Sequence, residues 1–142
     1  MAVDKSLSAL AVAQENAARL GVANINFVAS DWWQQVPDND KFDVVVSNPP
    51  YIIEHDEHLA KLRFEPVAAL TAGTTGLDDL RRIMDSAAQF LTPNGYLLLE
   101  HGYDQAEVVR GLLAVAGFDG VRSERDLAGV ERVSLGQVED PP

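Results

Sequence analysis

At 142 residues, 46% of them apolar, the chain has material for one hydrophobic core, and a single domain is expected. Zero cysteines exclude a disulfide framework and thiolate metal sites, in keeping with a reducing cytosol. The 22 acidic against 11 basic residues leave a formal net charge of -11, which opposes a broad nucleic-acid footprint and favours solubility or a cationic partner.

No apolar run approaches the ~20 residues of a bilayer span, and Met1-Ala2-Val3-Asp4-Lys5 lacks the basic start and apolar stretch of a secretory signal. A soluble cytoplasmic protein is therefore expected. Ala2-Val3 is a short apolar pair running into Asp4. From Ser6 to Leu20 apolar residues recur at helical spacing, with Ser6 able to cap the start and Gly21 to end it. Ile25 to Ala29 reads as a short strand followed by Asp31. Phe42 to Val46 is a continuous apolar run of the kind buried on both faces of a parallel sheet. Ile52 to Ala72 has neither period and reads as an irregular excursion. Leu77 to Leu91 is helical, stopped by Thr92-Pro93-Asn94-Gly95, and Tyr96 to Glu100 is another buried strand. Asp104 to Ala116 is a helix ended by Gly117. Phe118 to Asp126 and Arg132 to Val138 are two strands whose short connection suits an antiparallel hairpin. Strands alternating with helices predict an α/β fold with a mostly parallel sheet. Ligands in such sheets bind beyond the carboxyl ends of the strands, which directs attention to Asp4, Asp31 and Asn48.

The stretch "VVVSNPPYIIEH", residues 44 to 55, is the most informative. Proline fixes its own φ, lacks an N–H and holds the preceding residue extended, so Asn48-Pro49-Pro50 is stiff and poor in donors. The Asn48 side-chain carbonyl and the Pro49 backbone carbonyl are then fixed acceptors at a strand end, suited to the two hydrogens of one NH2 group. Tyr51 adds a flat aromatic face for a planar partner.

With "AVDKS" at 2 to 6, "SDWW" at 30 to 33, "RFEPVAAL" at 63 to 70, "LLLEHG" at 97 to 102 and "RDLAGVERVSLG" at 125 to 136, these residues resemble the bacterial release-factor glutamine methyltransferases. That family belongs to the class I methyltransferases dependent on S-adenosylmethionine. The resemblance implies a Rossmann-like sheet with a carboxyl-terminal antiparallel hairpin. It also implies methyl transfer to the side-chain amide nitrogen in the Gly-Gly-Gln loop of peptide-chain release factors, its protein partners. Asn48 and Pro49 would be catalytic, and Asn48, Pro49, Pro50 and Tyr51 would bind the substrate amide. Asp4 would hold the cofactor ribose, Asp31 with Trp32 the adenine, and Asn48 would also face the cofactor. A helix-start charge is the competing reading of Asp4, and an ordinary turn aspartate that of Asp31. Glu65 could hold the substrate loop or simply pair with Arg63. Glu100 and His101 read as polar rim residues. His55 and His58, among Glu54, Asp56 and Glu57, lack ordered ligand spacing, so no metal is assigned.

The family pattern also contains an amino-terminal helical domain and a first strand ending in an acidic, glycine-rich loop. Neither has a counterpart here, where no glycine precedes Gly21. Residues 1–142 are thus expected to be the carboxyl-terminal part of a methyltransferase domain, with the sheet short of its first strand and activity impaired. An adenine or guanine amino-methyltransferase shares the tetrapeptide and is the alternative enzyme; acidity disfavours it. A non-catalytic binding remnant is the alternative outside enzymes.

Overall fold

The computed structural model describes residues 1–51 and 76–139. The excursion from Ile52 to Ala72, with Glu65, Arg63, His55 and His58, lies outside the described residues. The chain divides into two compact units, Met1–Asp40 and Lys41–Pro142. No described helix is long and apolar enough to cross a membrane.

The first unit contains β1 (Ala2–Asp4), α1 (Leu7–Arg19) and β2 (Phe27–Ala29). The Ala9 N–H donates to Ser6 Oγ at 3.2 Å, the expected cap, and the helix gives way at Gly21, whose φ is +67°. Leu10 and Ala17, seven residues or two turns apart, are buried. β1 and β2 pair in parallel, with Ala2 opposite Phe27 and Asp4 opposite Ala29, so both strands point their carboxyl ends the same way.

The second unit contains β3 (Phe42–Ser47), α2 (Asp78–Phe90), β4 (Leu91–Glu100), α3 (Ala106–Val115), β5 (Asp119–Arg125) and β6 (Glu131–Gln137). Its sheet runs in the order β3-β4-β6-β5. β3 pairs with β4 in parallel, and β6 is antiparallel to both β4 and β5. α2 packs against β4 and α3, and α3 against β5 and β6. Leu80, Ile83, Met84 and Ala87 of α2 recur at helical spacing and are buried, as are Val109 and Leu113 of α3 and Leu97 and Leu99 of β4.

Two features depart from the sequence reading. The stop signal after α2 does not make a free turn but a bulge inside β4, between the Phe42–Leu91 and Val44–Tyr96 pairs. Asn94 takes φ +63° there. Gly95 admits no side chain, since a Cβ would lie 2.8 Å from the Thr92 carbonyl oxygen and 3.1 Å from that of Phe42. β3, expected to be buried on both faces, is not: Val44 is 53% and Val46 72% exposed. Its described strand neighbour is β4 alone, and Val44 and Val46 alternate away from Val45, which lies opposite the buried Leu97.

The β5–β6 turn is organised by Asp126. Its Oδ1 accepts from the Ala128 N–H at 2.9 Å and the Val130 N–H at 3.0 Å, and Arg132 Nε approaches Oδ2 at 3.4 Å. The Val130 N–H foremost, then those of Ala128 and the Arg132 guanidinium, hold this carboxyl below the usual aspartate value despite some desolvation. A depressed folded value means the turn gains stability above the unfolded value and loses it as pH falls through the folded one. The Ala128 and Val130 amide shifts should therefore titrate with a midpoint below that of an ordinary aspartate; a midpoint at or above it would contradict this account. Leu97→Ala should lower unfolding free energy in urea by about 2–5 kcal/mol, whereas Val46→Ala should cost less than about 0.5 kcal/mol. Equal losses would overturn the core assignment.

Candidate active site

β3 ends at Ser47 and delivers the tetrapeptide directly. Pro49 is fully buried and anchors the segment, Asn48 is exposed, and Pro50 and Tyr51 are half-buried. No hydrogen bond to a described residue occupies the Asn48 side chain. Tyr51 forms one wall of a cavity of about 540 Å³, with Glu100 at the end of β4 and Arg125, Asp126 and Arg132 of the hairpin on its other sides. Asn48 and Pro49 do not line it. Glu100 is thus a rim residue as expected.

His101 is not. It is fully buried, where a polar rim position was expected, because both ring nitrogens are bonded inside the unit. Nδ1 lies 2.9 Å from the Gly102 carbonyl oxygen, which can only accept, so Nδ1 donates. In the neutral ring Nε2 then accepts from Ser134 Oγ at 2.8 Å. Ser134 Oγ is 2.7 Å from Ser123 Oγ, which accepts from Arg110 Nη1 at 2.7 Å. Arg110 also pairs with Glu131 at 3.1 Å. Every buried side-chain polar atom among the described residues has a partner.

From the Gly102 carbonyl the network returns to the tetrapeptide. That oxygen also accepts the Gln105 N–H at 3.1 Å, and the Gly102 N–H donates to Gln105 Oε1 at 2.8 Å. Gln105 Nε2 donates to the Tyr51 carbonyl at 3.3 Å and to the Gly76 carbonyl at 3.4 Å. Sequence reasoning missed Gln105. The available signal was its place at the amino cap of α3, where Ser, Thr, Asp or Asn is usual; its side chain makes no cap bond.

In the first unit, Asp4 and Asp31 lie at the carboxyl ends of β1 and β2. Asp4 is exposed, and its Oδ1 accepts the Ser6 N–H at 2.7 Å, so the helix-start role applies to one of its two oxygens. Asp31 and Trp32 are half-buried. Trp32 takes φ +54°, a left-handed conformation that costs a bulky residue about 1–3 kcal/mol. The buried Ser30 holds it there: Ser30 Oγ donates to the Trp32 carbonyl at 2.8 Å and accepts the Gln35 N–H at 2.9 Å. Ser30 was a second unread residue of the site; its place beside Asp31 was the one signal. Asp4, Asp31 and Trp32 lie together in the first unit, and Asn48 to Tyr51 in the second.

A family model for a methyltransferase domain matches residues 1–127. A curated relative from Bordetella pertussis, named release factor glutamine methyltransferase, is 52% identical over 137 residues, covering 95% of this chain and 50% of that protein. The chain thus spans about half the length of the curated relatives it matches. A methyltransferase structure from Pyrococcus furiosus aligns over 97% of this chain and 61% of its own, with a TM-score of 0.69 at 18% identity. The N-methyltransferase NodS of Bradyrhizobium japonicum, in complex with S-adenosyl-l-homocysteine, aligns over 99% of this chain and 65% of its own, with a TM-score of 0.60 at 17% identity. Those two likenesses concern the fold. The match over residues 1–127 makes the chain a member of the methyltransferase-domain family.

Proposed function

We propose that this protein is a protein-glutamine N5-methyltransferase that uses S-adenosylmethionine and acts on the Gly-Gly-Gln loop of peptide-chain release factors. The observation that carries the reading is the stiff Asn48-Pro49-Pro50-Tyr51 segment at the carboxyl end of β3, with the Asn48 amide exposed and without a bond to any described residue, and Tyr51 walling a cavity. The relatives' name supports the choice of glutamine and release factor.

An amide nitrogen is a poor nucleophile because its lone pair is delocalised into the carbonyl. The Asn48 Oδ1 and the Pro49 carbonyl accept the two amide hydrogens, which draws the nitrogen towards a tetrahedral shape and frees that pair. Tyr51 clamps the amide plane. The gain is one of placement, and of polarisation that grows towards the transition state. Bound S-adenosylmethionine supplies a methyl carbon already activated by its sulfonium. No strong base is needed on the protein, since the nitrogen becomes acidic only after transfer and its proton can leave to water.

The donor set of the first unit fits that cofactor. Asp4 keeps Oδ2 beside the oxygen bonded to Ser6, and a carboxylate suits the ribose hydroxyls. Asp31 and the Ser30-braced Trp32 offer an acceptor and a flat surface for adenine.

Incubating the native gene product with tritiated cofactor and either release factor or nucleic acid tests the substrate; label only in nucleic acid would overturn the glutamine reading. Asn48→Ala should lower turnover about 10²-fold with a much smaller effect on cofactor affinity, measured by steady-state kinetics and calorimetry. Unchanged turnover would remove Asn48 from the mechanism. Asp4→Ala should weaken cofactor binding about 10- to 100-fold, the size of a lost charge-assisted hydrogen bond.

A further inference from the structure

The tetrapeptide is held at its far end by two residues that no step of the reaction touches. Gln105 spends every polar group on this junction: Oε1 accepts the Gly102 N–H, and the NH2 group reaches the Tyr51 and Gly76 carbonyls. Two carbonyls require a donor on one side and an N–H requires an acceptor on the other, so the amide has one permitted orientation. Gly76 closes in from beside it. A Cβ there would lie 2.4 Å from the Tyr51 oxygen and 2.9 Å from Gln105 Nε2, and its φ of +67° suits glycine. Behind Gln105, the buried His101 holds the Gly102 carbonyl that also receives the Gln105 backbone N–H.

We propose that Gln105 and Gly76 are positioning residues for methyl transfer, fixing the Tyr51 carbonyl and, through two consecutive prolines, the direction of the Asn48 and Pro49 acceptors. Only Pro50 lies between the clamped Tyr51 and the Pro49 acceptor, and Pro49 and Pro50 between it and Asn48, so a displaced Tyr51 carbonyl shifts the acceptors with little bending to absorb the movement. The inference rests on the reading of Asn48 and Pro49 as the amide-binding pair.

Gln105→Glu in the native gene product is the sharpest test. It keeps size and the acceptor for Gly102, removes the donor, and sets a carboxylate oxygen against the Tyr51 carbonyl. The expected result is a fall in kcat of about 10- to 100-fold with cofactor affinity unchanged. Gly76→Ala, which displaces the same carbonyl from the other side, should give a loss of the same kind. A double-mutant cycle separates positioning from a merely structural role: in an Asn48→Ala background, where only the Pro49 acceptor is left to misplace, Gln105→Glu should cost clearly less than it does in the wild type. Wild-type kcat in Gln105→Glu, or losses that multiply with Asn48→Ala, would overturn the proposal. Full activity of Asn48→Ala alone would instead overturn the amide-binding reading beneath it.

Discussion

The proposed site depends on one constraint, the stiffness of Asn48-Pro49-Pro50 and the lack of a backbone N–H on its two prolines. A flexible loop would offer its carbonyls in many directions and its own N–H groups would compete for them. Two prolines remove both problems, but they also make the segment dependent on its ends. β3 sets the start by parallel pairing with β4, and burial of Pro49 secures it. The Gln105 amide and the close approach of Gly76 fix the finish. On the proposed reading, the elements that contribute little chemistry, β4 and the start of α3, decide where the acceptors stand.

The buried polar chain behind this junction has a direction. Arg110 can only donate and the Gly102 carbonyl can only accept, so with a neutral imidazole the two serine hydroxyls and the ring between these ends are oriented in one sense. Every member is satisfied, which is the condition under which such a network rigidifies a core rather than weakening it. It ties the hairpin of β5 and β6 to the carboxyl end of β4, and so to the loop that carries Gln105.

Much of the fold was legible because local patterns agree with tertiary packing. The spacing of Leu80, Ile83, Met84 and Ala87 marks a buried helical stripe, Ser6 marks a cap, and the five residues between the last two strands mark a hairpin. The bulge in β4 was not legible, since Thr92-Pro93-Asn94-Gly95 reads as an ending until pairing with Phe42 and Val138 is known. β3 misled for a different reason. Its valines are those of a strand covered on both faces, whereas exposure depends on neighbours that a strand's own residues do not reveal. For the site, Asn48 to Tyr51 stood out by chemistry. Gln105 did not, because its amide reaches carbonyls distant in sequence, and Ser30 did not, because a serine beside a turn does not announce that its hydroxyl braces Trp32. His101 was misjudged because a histidine at a strand end reads as solvated until both nitrogens are seen to be engaged.

Among the described residues of its unit, β3 is paired on one side only, which has a bearing on how copies of this chain behave towards one another. A strand with branched apolar side chains at the surface is a template for edge-to-edge association. The formal charge of -11 acts against it, since like-charged molecules repel before short-range attraction takes hold. That repulsion reaches only about 10 Å at 0.1 M ionic strength. Colloidal behaviour is consequently set by a contest between a sticky margin and an electrostatic cushion, and added salt tilts it towards self-association.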